Sequence, residues 1–146
     1  MAAAELIAQP VHATSVAIRG LGVLIEGPSG AGKSDLALRL IDRGATLVSD
    51  DYTLLAESAA GPLASPPATI AGRMEVRGLG IVPMPYVAGV PVRLLVRLSS
   101  DVERMPGRET HDLAGVAVPV TTVDPRAASA AIKVELALDQ LGTQAA

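Results

Sequence analysis

Residues Gly27-Pro28-Ser29-Gly30-Ala31-Gly32-Lys33-Ser34 match G-x-x-x-x-G-K-[ST] at every fixed position. No other run in the chain constrains its fold so tightly. The glycines let the backbone curl until successive N–H groups point at one anion. The lysine adds a charge near the outer phosphates, and the serine hydroxyl can hold Mg²⁺. The loop needs a strand before it and a helix after it, because the helix N-terminus must be aimed at the phosphate. Val23-Leu24-Ile25 is a short apolar run that reads as that strand. Ser34 to Ile41 reads as the helix, with Leu36, Leu40 and Ile41 on one face. The alternative is a glycine-rich turn before a helix, but two glycines, a lysine and a hydroxyl at fixed spacing rarely coincide by accident.

Composition limits what surrounds this unit. A chain of 146 residues is one domain by size and can bury a real core. That core is aliphatic, because the chain has no Phe, no Trp and only Tyr52 and Tyr86. The net charge of −3, with no basic stripe and no aromatic platform for stacking bases, argues against nucleic acid as a partner. The absence of cysteine excludes disulfides, thiolate metal sites and cysteine nucleophiles. Met1 to Pro10 has no basic n-region and no long apolar stretch, so it does not read as a signal peptide. No apolar run is long enough to cross a bilayer. The expected location is the cytoplasm, where nucleoside triphosphates are available, with no membrane association.

Along the chain the pattern is α/β. Val11 to Ile18 is strand-like and turns through Arg19-Gly20-Leu21-Gly22 into Val23 to Glu26. The helix runs from about Lys33 to Arg43 and stops at Gly44 as its C′ residue. Thr46 to Ser49 and Tyr52 to Ala56 read as strands. Gly61 to Pro67 reads as a loop, and Met74 to Arg77 as a short strand. Val92 to Leu98 is a stronger strand, with Val92, Leu94, Val96 and Leu98 facing one way and Arg93 and Arg97 the other. Asp101 to Val116 is polar and reads as a flexible loop. Asp124-Pro125 reads as N-cap and N1 of a last helix that ends near Leu141-Gly142.

Two further features carry chemistry. Asp50-Asp51 follows the strand Thr46 to Ser49, where an acid beside a P-loop meets Mg²⁺ or the attacking hydroxyl. Adjacent residues at a strand end point in different directions, so one aspartate can serve the metal and the other the acceptor. The second feature is Gly72 to Ile81. Its alternation puts Met74 and Val76 on one face and Glu75 and Arg77 on the other. Glycines bracket that charged pair, so a ligand can approach closely. A carboxylate suits Mg²⁺, and a guanidinium suits a phosphoryl group in transfer. The plain reading of each is a polar turn and a solvated strand face.

Three segments together resemble the catalytic domain of the bacterial HPr kinase/phosphorylase family. They are Val11-His12-Ala13 leading into Gly20 to Ser34; Arg43-Gly44-Ala45-Thr46-Leu47-Val48-Ser49-Asp50-Asp51; and Met74-Glu75-Val76-Arg77-Gly78-Leu79-Gly80-Ile81, similar to a family signature of the form M-E-I-R-G-x-G-I. The resemblance implies an α/β P-loop fold of the HPr kinase/PEP carboxykinase-like type, a mixed sheet with flanking helices. It implies an ATP-dependent kinase that phosphorylates a serine of the phosphocarrier HPr or a paralogue, with ATP and Mg²⁺ at the site. The cradle would be Gly27, Pro28, Ser29, Gly30, Ala31, Gly32, Lys33 and Ser34. The metal contacts would be Ser34 and Glu75, with Asp50 beside them. Asp51 would be the acid/base group and His12 the active-site histidine. Arg104 would be the catalytic arginine before a glycine, with Arg77 able to share that role. A homohexamer and a role in regulating carbohydrate metabolism are implied too.

The departures from the family set further expectations. The family's full-length members carry an N-terminal domain, so residues 1–146 resemble a short form built from the catalytic domain alone. The family's His-Gly pair is His12-Ala13, and the acid after the lysine–serine pair is Asp35 rather than glutamate. The family has a P-V-R-P-G-R-like stretch tied to dephosphorylation, where this chain reads Pro119-Val120-Thr121-Thr122-Val123-Asp124-Pro125-Arg126. The expectation is kinase activity with weak or absent phosphorylase activity. Two rivals stand beside it. One is a small-molecule kinase of the shikimate kinase type, though the chain has no Gly-Gly-Gly substrate turn and no arginine-rich lid. The other is a non-catalytic ATP-binding sensor module.

Overall fold

The computed structural model describes residues 8–145. Of the first ten residues, read above as carrying no signal peptide, residues 1–7 lie outside the described residues. Among the described residues eleven strands and two helices follow in the order β1 (Gln9–Val11), β2 (Thr14–Ile18), β3 (Leu21–Glu26), α1 (Lys33–Asp42), β4 (Thr46–Ser49), β5 (Thr53–Ala56), β6 (Leu63–Ser65), β7 (Arg73–Val76), β8 (Gly80–Pro83), β9 (Val90–Leu98), β10 (Thr110–Leu113), β11 (Val116–Val123) and α2 (Ala130–Ala145). The fold is mixed α/β, as expected.

The main sheet is built around β9. Along one edge β9 pairs parallel with β3, which pairs antiparallel with β2, and β2 pairs antiparallel with β4. The last four residues of β9 pair parallel with β11, and β10 closes on β11 as a hairpin. The first two residues of β9 pair with β6, which continues through β5 to β1. The β2–β3 hairpin turns through Arg19 and Gly20, both at positive φ (52° and 81°). That is the two-residue geometry whose twist matches the flanking strands.

Both helices pack on one face of this sheet. Leu36, Ala37 and Leu40 of α1 are fully buried against Val16, Val23, Ile25 and Val96, and α2 adds Ala130, Val134 and Leu138. Each of these leucines gains about 1.5–3 kcal/mol by leaving water, and Leu40→Ala would cost about 2–5 kcal/mol because the site is close-packed. Arg43, just past α1, donates to Glu135 of α2 at 2.9 Å and fastens the two helices together. On the opposite face, Leu24, Val48, Val92 and Leu95 are covered by Leu55, Ala64, Leu113 and Val118, which come from the curled strands β5, β6, β10 and β11.

Several expectations need correcting. Gly61 to Pro67 contains β6, and Asp101 to Val116 contains β10. Val92 does not share a face with Leu94, Val96 and Leu98. The β3–β9 register slips so that Gly22 faces Val92 while Val23 faces Leu94. Arg93 is therefore an extra residue in a bulge, and the bulge turns Val92 into the second core. Asp124-Pro125 does not start the last helix. Asp124 accepts the Arg126 N–H at 2.9 Å and its carbonyl accepts the Ala127 N–H at 3.1 Å, forming a separate turn, and α2 begins at Ala130.

Candidate active site

The direction of β2 decides where the chemistry gathers. β2 lies antiparallel between β3 and β4. Its first residue, Thr14, therefore sits between the end of β3, which feeds the P-loop, and the end of β4, which feeds Asp50-Asp51. His12 lies just ahead of it. Three segments, His12–Thr14, the P-loop and Asp50-Asp51, thus share one rim of the sheet.

The P-loop curls as its glycines predict. Gly30 and Gly32 take φ of 81° and 104°, and the Ala31 N–H closes a turn on the Pro28 carbonyl at 3.0 Å. Lys33 opens α1 and is 6% exposed. Its ammonium donates to the carbonyls of Gly27 (2.8 Å) and Pro28 (3.2 Å). Among the described residues this ammonium has only carbonyl partners and no counter-charge, and an anion in the loop would supply one.

Asp50 is buried, with its carboxylate fully engaged. Oδ1 accepts from Ser34 Oγ at 2.5 Å and from Thr14 Oγ1 at 3.3 Å; Oδ2 accepts from the Glu75 N–H at 3.0 Å. Three donors offset the cost of burying the charge. Asp51 points the other way. It is exposed, its Oδ1 lies 3.0 Å from His12 Nε2, and its N–H donates to Thr14 Oγ1 at 3.0 Å. The His12 ring stacks on Tyr52 with centroids 5.0 Å apart. Asp51 takes φ of 69°, a left-handed conformation that non-glycine residues adopt at a cost of about 1–3 kcal/mol.

The β7–β8 hairpin forms the facing wall. It pairs with no other strand among the described residues. Met74, fully buried in the helix-side core, and the Glu75 N–H bonded to Asp50 anchor it. Its base is held by the Met84 N–H on the Gly72 carbonyl (2.8 Å) and the Val87 N–H on the Leu47 carbonyl (3.0 Å). Met74 is buried while Glu75 and Arg77 are exposed, so both charged side chains reach the open face.

A cavity of about 540 Å³ lies between the P-loop and this hairpin, lined by Ser29, Gly30, Gly32, Lys33, Ser34, Asp50, Asp51, Glu75 and Arg77. Asp35 also lines it but its carboxylate is paired with Arg39, which leaves Asp50, Asp51 and Glu75 against Lys33 and Arg77 around the space. A polyphosphate alone would be repelled by that balance, whereas a divalent cation would bridge the two. The nearby donors, Ser34, Asp50 and Glu75, present oxygen only, the set a hard cation such as Mg²⁺ prefers. Among the described residues no three Asp, Glu or His side chains are gathered to hold a metal ion by themselves, so a cation here would need phosphate oxygens as further ligands.

Arg104 is not brought into this group. It is exposed in the segment between β9 and β10 and does not line the cavity. Two residues were missed by sequence reasoning. Thr14 bonds to both aspartates, and nothing local in the sequence marks it, because Ser15 beside it carries a hydroxyl too. Arg39 joins Asp35 (2.8 Å) to the carbonyls of Pro125 (2.5 Å) and Ala127 (3.3 Å); its signal was the Asp35–Arg39 spacing of four on a helix.

Comparison with known proteins points to one family. Residues 5–138 match the family described as HPr Serine kinase C-terminal domain. The chain belongs to that family. The HPr kinase/phosphorylase of Aromatoleum aromaticum is 40% identical over 123 residues, which cover 74% of this chain and 39% of that protein. That of Clostridium botulinum is 33% identical over 129 residues, covering 80% and 42%. That of Clostridium tetani is 44% identical over 80 residues, covering 55% and 26%. Among solved structures, the Hpr(Ser) kinase/phosphatase from Coxiella burnetii superposes with a TM-score of 0.80 at 28% identity, covering 93% of this chain and 97% of the other. This member of the HPr serine kinase family therefore spans roughly a quarter to two-fifths of the length of the curated relatives it matches. None of its helices among the described residues is long and apolar enough to cross a membrane.

Proposed function

We propose that this chain is an ATP-dependent protein-serine kinase whose acceptor is HPr or a related phosphocarrier protein. The observation that carries this reading is the split of Asp50 and Asp51 around one cavity. Asp50 is bonded to the P-loop serine, and Asp51, one residue on, is turned out toward His12. A nucleotide site alone needs the first arrangement and has no use for the second.

In this reading the loop amides and Lys33 hold the ATP phosphates. Ser34, Asp50 and Glu75 would hold Mg²⁺, which when bound neutralises phosphate charge. Asp51 takes the proton from the acceptor serine hydroxyl as its oxygen forms a bond to the γ-phosphorus and the bond to the ADP oxygen breaks. His12 keeps the Asp51 carboxylate turned toward the acceptor. Arg77, on the cavity wall and free of ion pairs among the described residues, stabilises the transferring group. Catalysis rests on positioning and charge.

Weak or absent phosphorylase activity belongs to the same proposal. Val120–Val123 is taken up in pairing with β9. The only arginine of the 119–126 stretch, Arg126, is turned back on Asp124, to which it donates its backbone N–H at 2.9 Å and its guanidinium Nε at 3.5 Å. The deciding experiment incubates the chain with ATP, Mg²⁺ and purified phosphocarrier proteins and maps the modified residue by mass. A phosphoserine that needs Asp51 supports the kinase reading. Phosphorylation of shikimate-like alcohols alone, or nucleotide binding with no transfer, replaces it. Lys33→Ala should lose nucleotide binding, whereas Asp51→Asn should keep it and lose transfer. Robust release of phosphate or pyrophosphate from serine-phosphorylated HPr would sink the phosphorylase part alone.

A further inference from the structure

Thr14 is fully buried, in a strand whose five residues are all buried. Its cross-strand neighbour is Ile25, and the next residue on its face, Val16, lies in the helix-side core. Such a position in a strand favours valine on packing grounds. A hydroxyl there is costly unless both its hydrogen and a lone pair find partners. Thr14 finds both, and they are the two aspartates: its hydroxyl donates to Asp50 Oδ1 at 3.3 Å and accepts the Asp51 N–H at 3.0 Å. One buried oxygen thereby links the carboxylate facing the P-loop serine to the backbone of the residue facing the acceptor.

The second bond matters because Asp51 sits at φ 69°. A left-handed aspartate persists only where its surroundings over-determine it. Asp51 is held from both sides: Thr14 takes its N–H, and the next N–H, that of Tyr52, donates to the Asp50 carbonyl at 2.8 Å. The strand that carries Thr14 is itself fixed across the sheet. Thr53 Oγ1 donates to the Ala13 carbonyl at 2.9 Å, so Ser15 Oγ, 2.8 Å away, must donate to Thr53.

We propose that Thr14 is a positioning residue for phosphoryl transfer, setting the distance and direction of Asp51 relative to the Ser34–Asp50 pair. The proposal rests on the kinase reading above for its rate effect, but not for its structural content. Thr14 touches neither substrate; it acts through Asp51. A base displaced by about 1 Å can lose on the order of 100-fold in rate, so a bond that fixes the base matters more to turnover than to binding.

The test compares Thr14→Val, which keeps shape and removes the hydroxyl, with Thr14→Ser, which keeps the hydroxyl and removes the methyl. Thr14→Val should lower kcat for transfer by about tenfold or more with KM for ATP within about twofold, and Thr14→Ser should stay within about threefold of the native rate. Hydrogen exchange gives a readout independent of activity. The Asp51 amide should exchange faster in Thr14→Val and at the native rate in Thr14→Ser, while the amides of Leu24 and Val96 keep native protection in both. Native kcat and native Asp51 protection in Thr14→Val would overturn the proposal. Equal losses in both variants would do so too, since they would place the role in the methyl packing. If the native chain transfers no phosphate to any carrier, the kinase reading fails by itself, and the Asp51 amide still decides the case for Thr14.

Discussion

Pro125 lies against Gly32, and a β-carbon placed on Gly32 would come within 3.3 Å of the Pro125 Cβ. The P-loop is therefore backed by the turn between β11 and α2, and Arg39 fastens that turn to α1 through the Pro125 and Ala127 carbonyls. Gly32 also sits at φ 104°, where any side chain is strained. Gly32→Ala should cost about 1–3 kcal/mol from backbone strain alone, with the Pro125 contact adding to it. Thermal unfolding should show a Tm several degrees lower, and calorimetric titration with ADP should show weakened binding. A variant with native Tm and native affinity would mean that neither the φ nor the contact constrains the loop.

Asp51 offers a case in which function and stability oppose each other. Its φ of 69° suits glycine, so Asp51→Gly relieves strain, offset in part by the entropy cost of glycine and the lost His12 bond. Asp51→Gly should be as stable as the native chain or more so, and should lose phosphoryl transfer. Asp51→Val carries a β-branched side chain in the same conformation and should be less stable by about 1–3 kcal/mol. Urea unfolding of the two variants beside a transfer assay checks the pair. A Gly variant clearly less stable than native would show that the His12 bond and the entropy cost of glycine outweigh the strain.

What the sequence reveals depends on how local the deciding interaction is. The strand–loop–helix unit around Gly27–Ser34 is legible because its apolar run, glycines, lysine and amphipathic helix are all written within about one supersecondary unit. The strand Thr46–Ser49 and the Asp50-Asp51 pair after it are legible for the same reason. β11 is not. Pro119 and the paired threonines interrupt its pattern, and it exists because Val120–Val123 find β9 in parallel register. Pro119 is tolerated because pairing with β9 begins one residue later. The helix start expected at Asp124-Pro125 is a sound capping signal, but those residues form the turn against Gly32. Thr14 was invisible because its partners lie 36 and 37 positions away. Arg104 came only from resemblance, and the fold leaves it outside the cavity.

Arg97 holds two carboxylates at once. It donates to Glu26, the last residue before the P-loop, at 3.2 Å, and to Glu109, just before β10, at 2.6 Å. The Glu109 hydrogen bond is the main reason its guanidinium is held above the ordinary arginine value; partial burial opposes this, and Glu26 adds to it. A raised value on a cation gives stability that is fully present below the ordinary arginine value and is lost only as pH rises through the higher folded value. The ion pair therefore shows no loss from arginine titration at neutral pH, and salt is the lever to use. Because the side chains are more than a third exposed, a double-mutant cycle of Arg97→Met with Glu109→Gln should give a coupling of about 0.2–1 kcal/mol. That coupling should shrink in 1 M salt, where screening acts over roughly 3 Å. A coupling that is large and indifferent to salt would contradict a surface pair.

Asp124 has the opposite sign. Its carboxyl is held below the usual aspartate value chiefly by the hydrogen bond from the Arg126 N–H; burial opposes this, and the Arg126 guanidinium adds to the lowering. A depressed carboxyl contributes stability that is present above its unfolded pKa, near 3.9, and is lost as pH falls through the folded value. The carboxylate is only partly buried, so the contribution is modest, but the turn it braces is the one packed behind Gly32. Asp124→Asn keeps an acceptor for the Arg126 N–H and removes the titration. Its Tm should therefore fall less steeply than that of the native chain between about pH 5 and pH 3. The carboxyl ¹³C signal of Asp124 should titrate with a midpoint below that of an unfolded aspartate. Parallel acid limbs for the two proteins, or a midpoint at the unfolded value, would show that the hydrogen bond to Arg126 does not bias Asp124 toward its charged form.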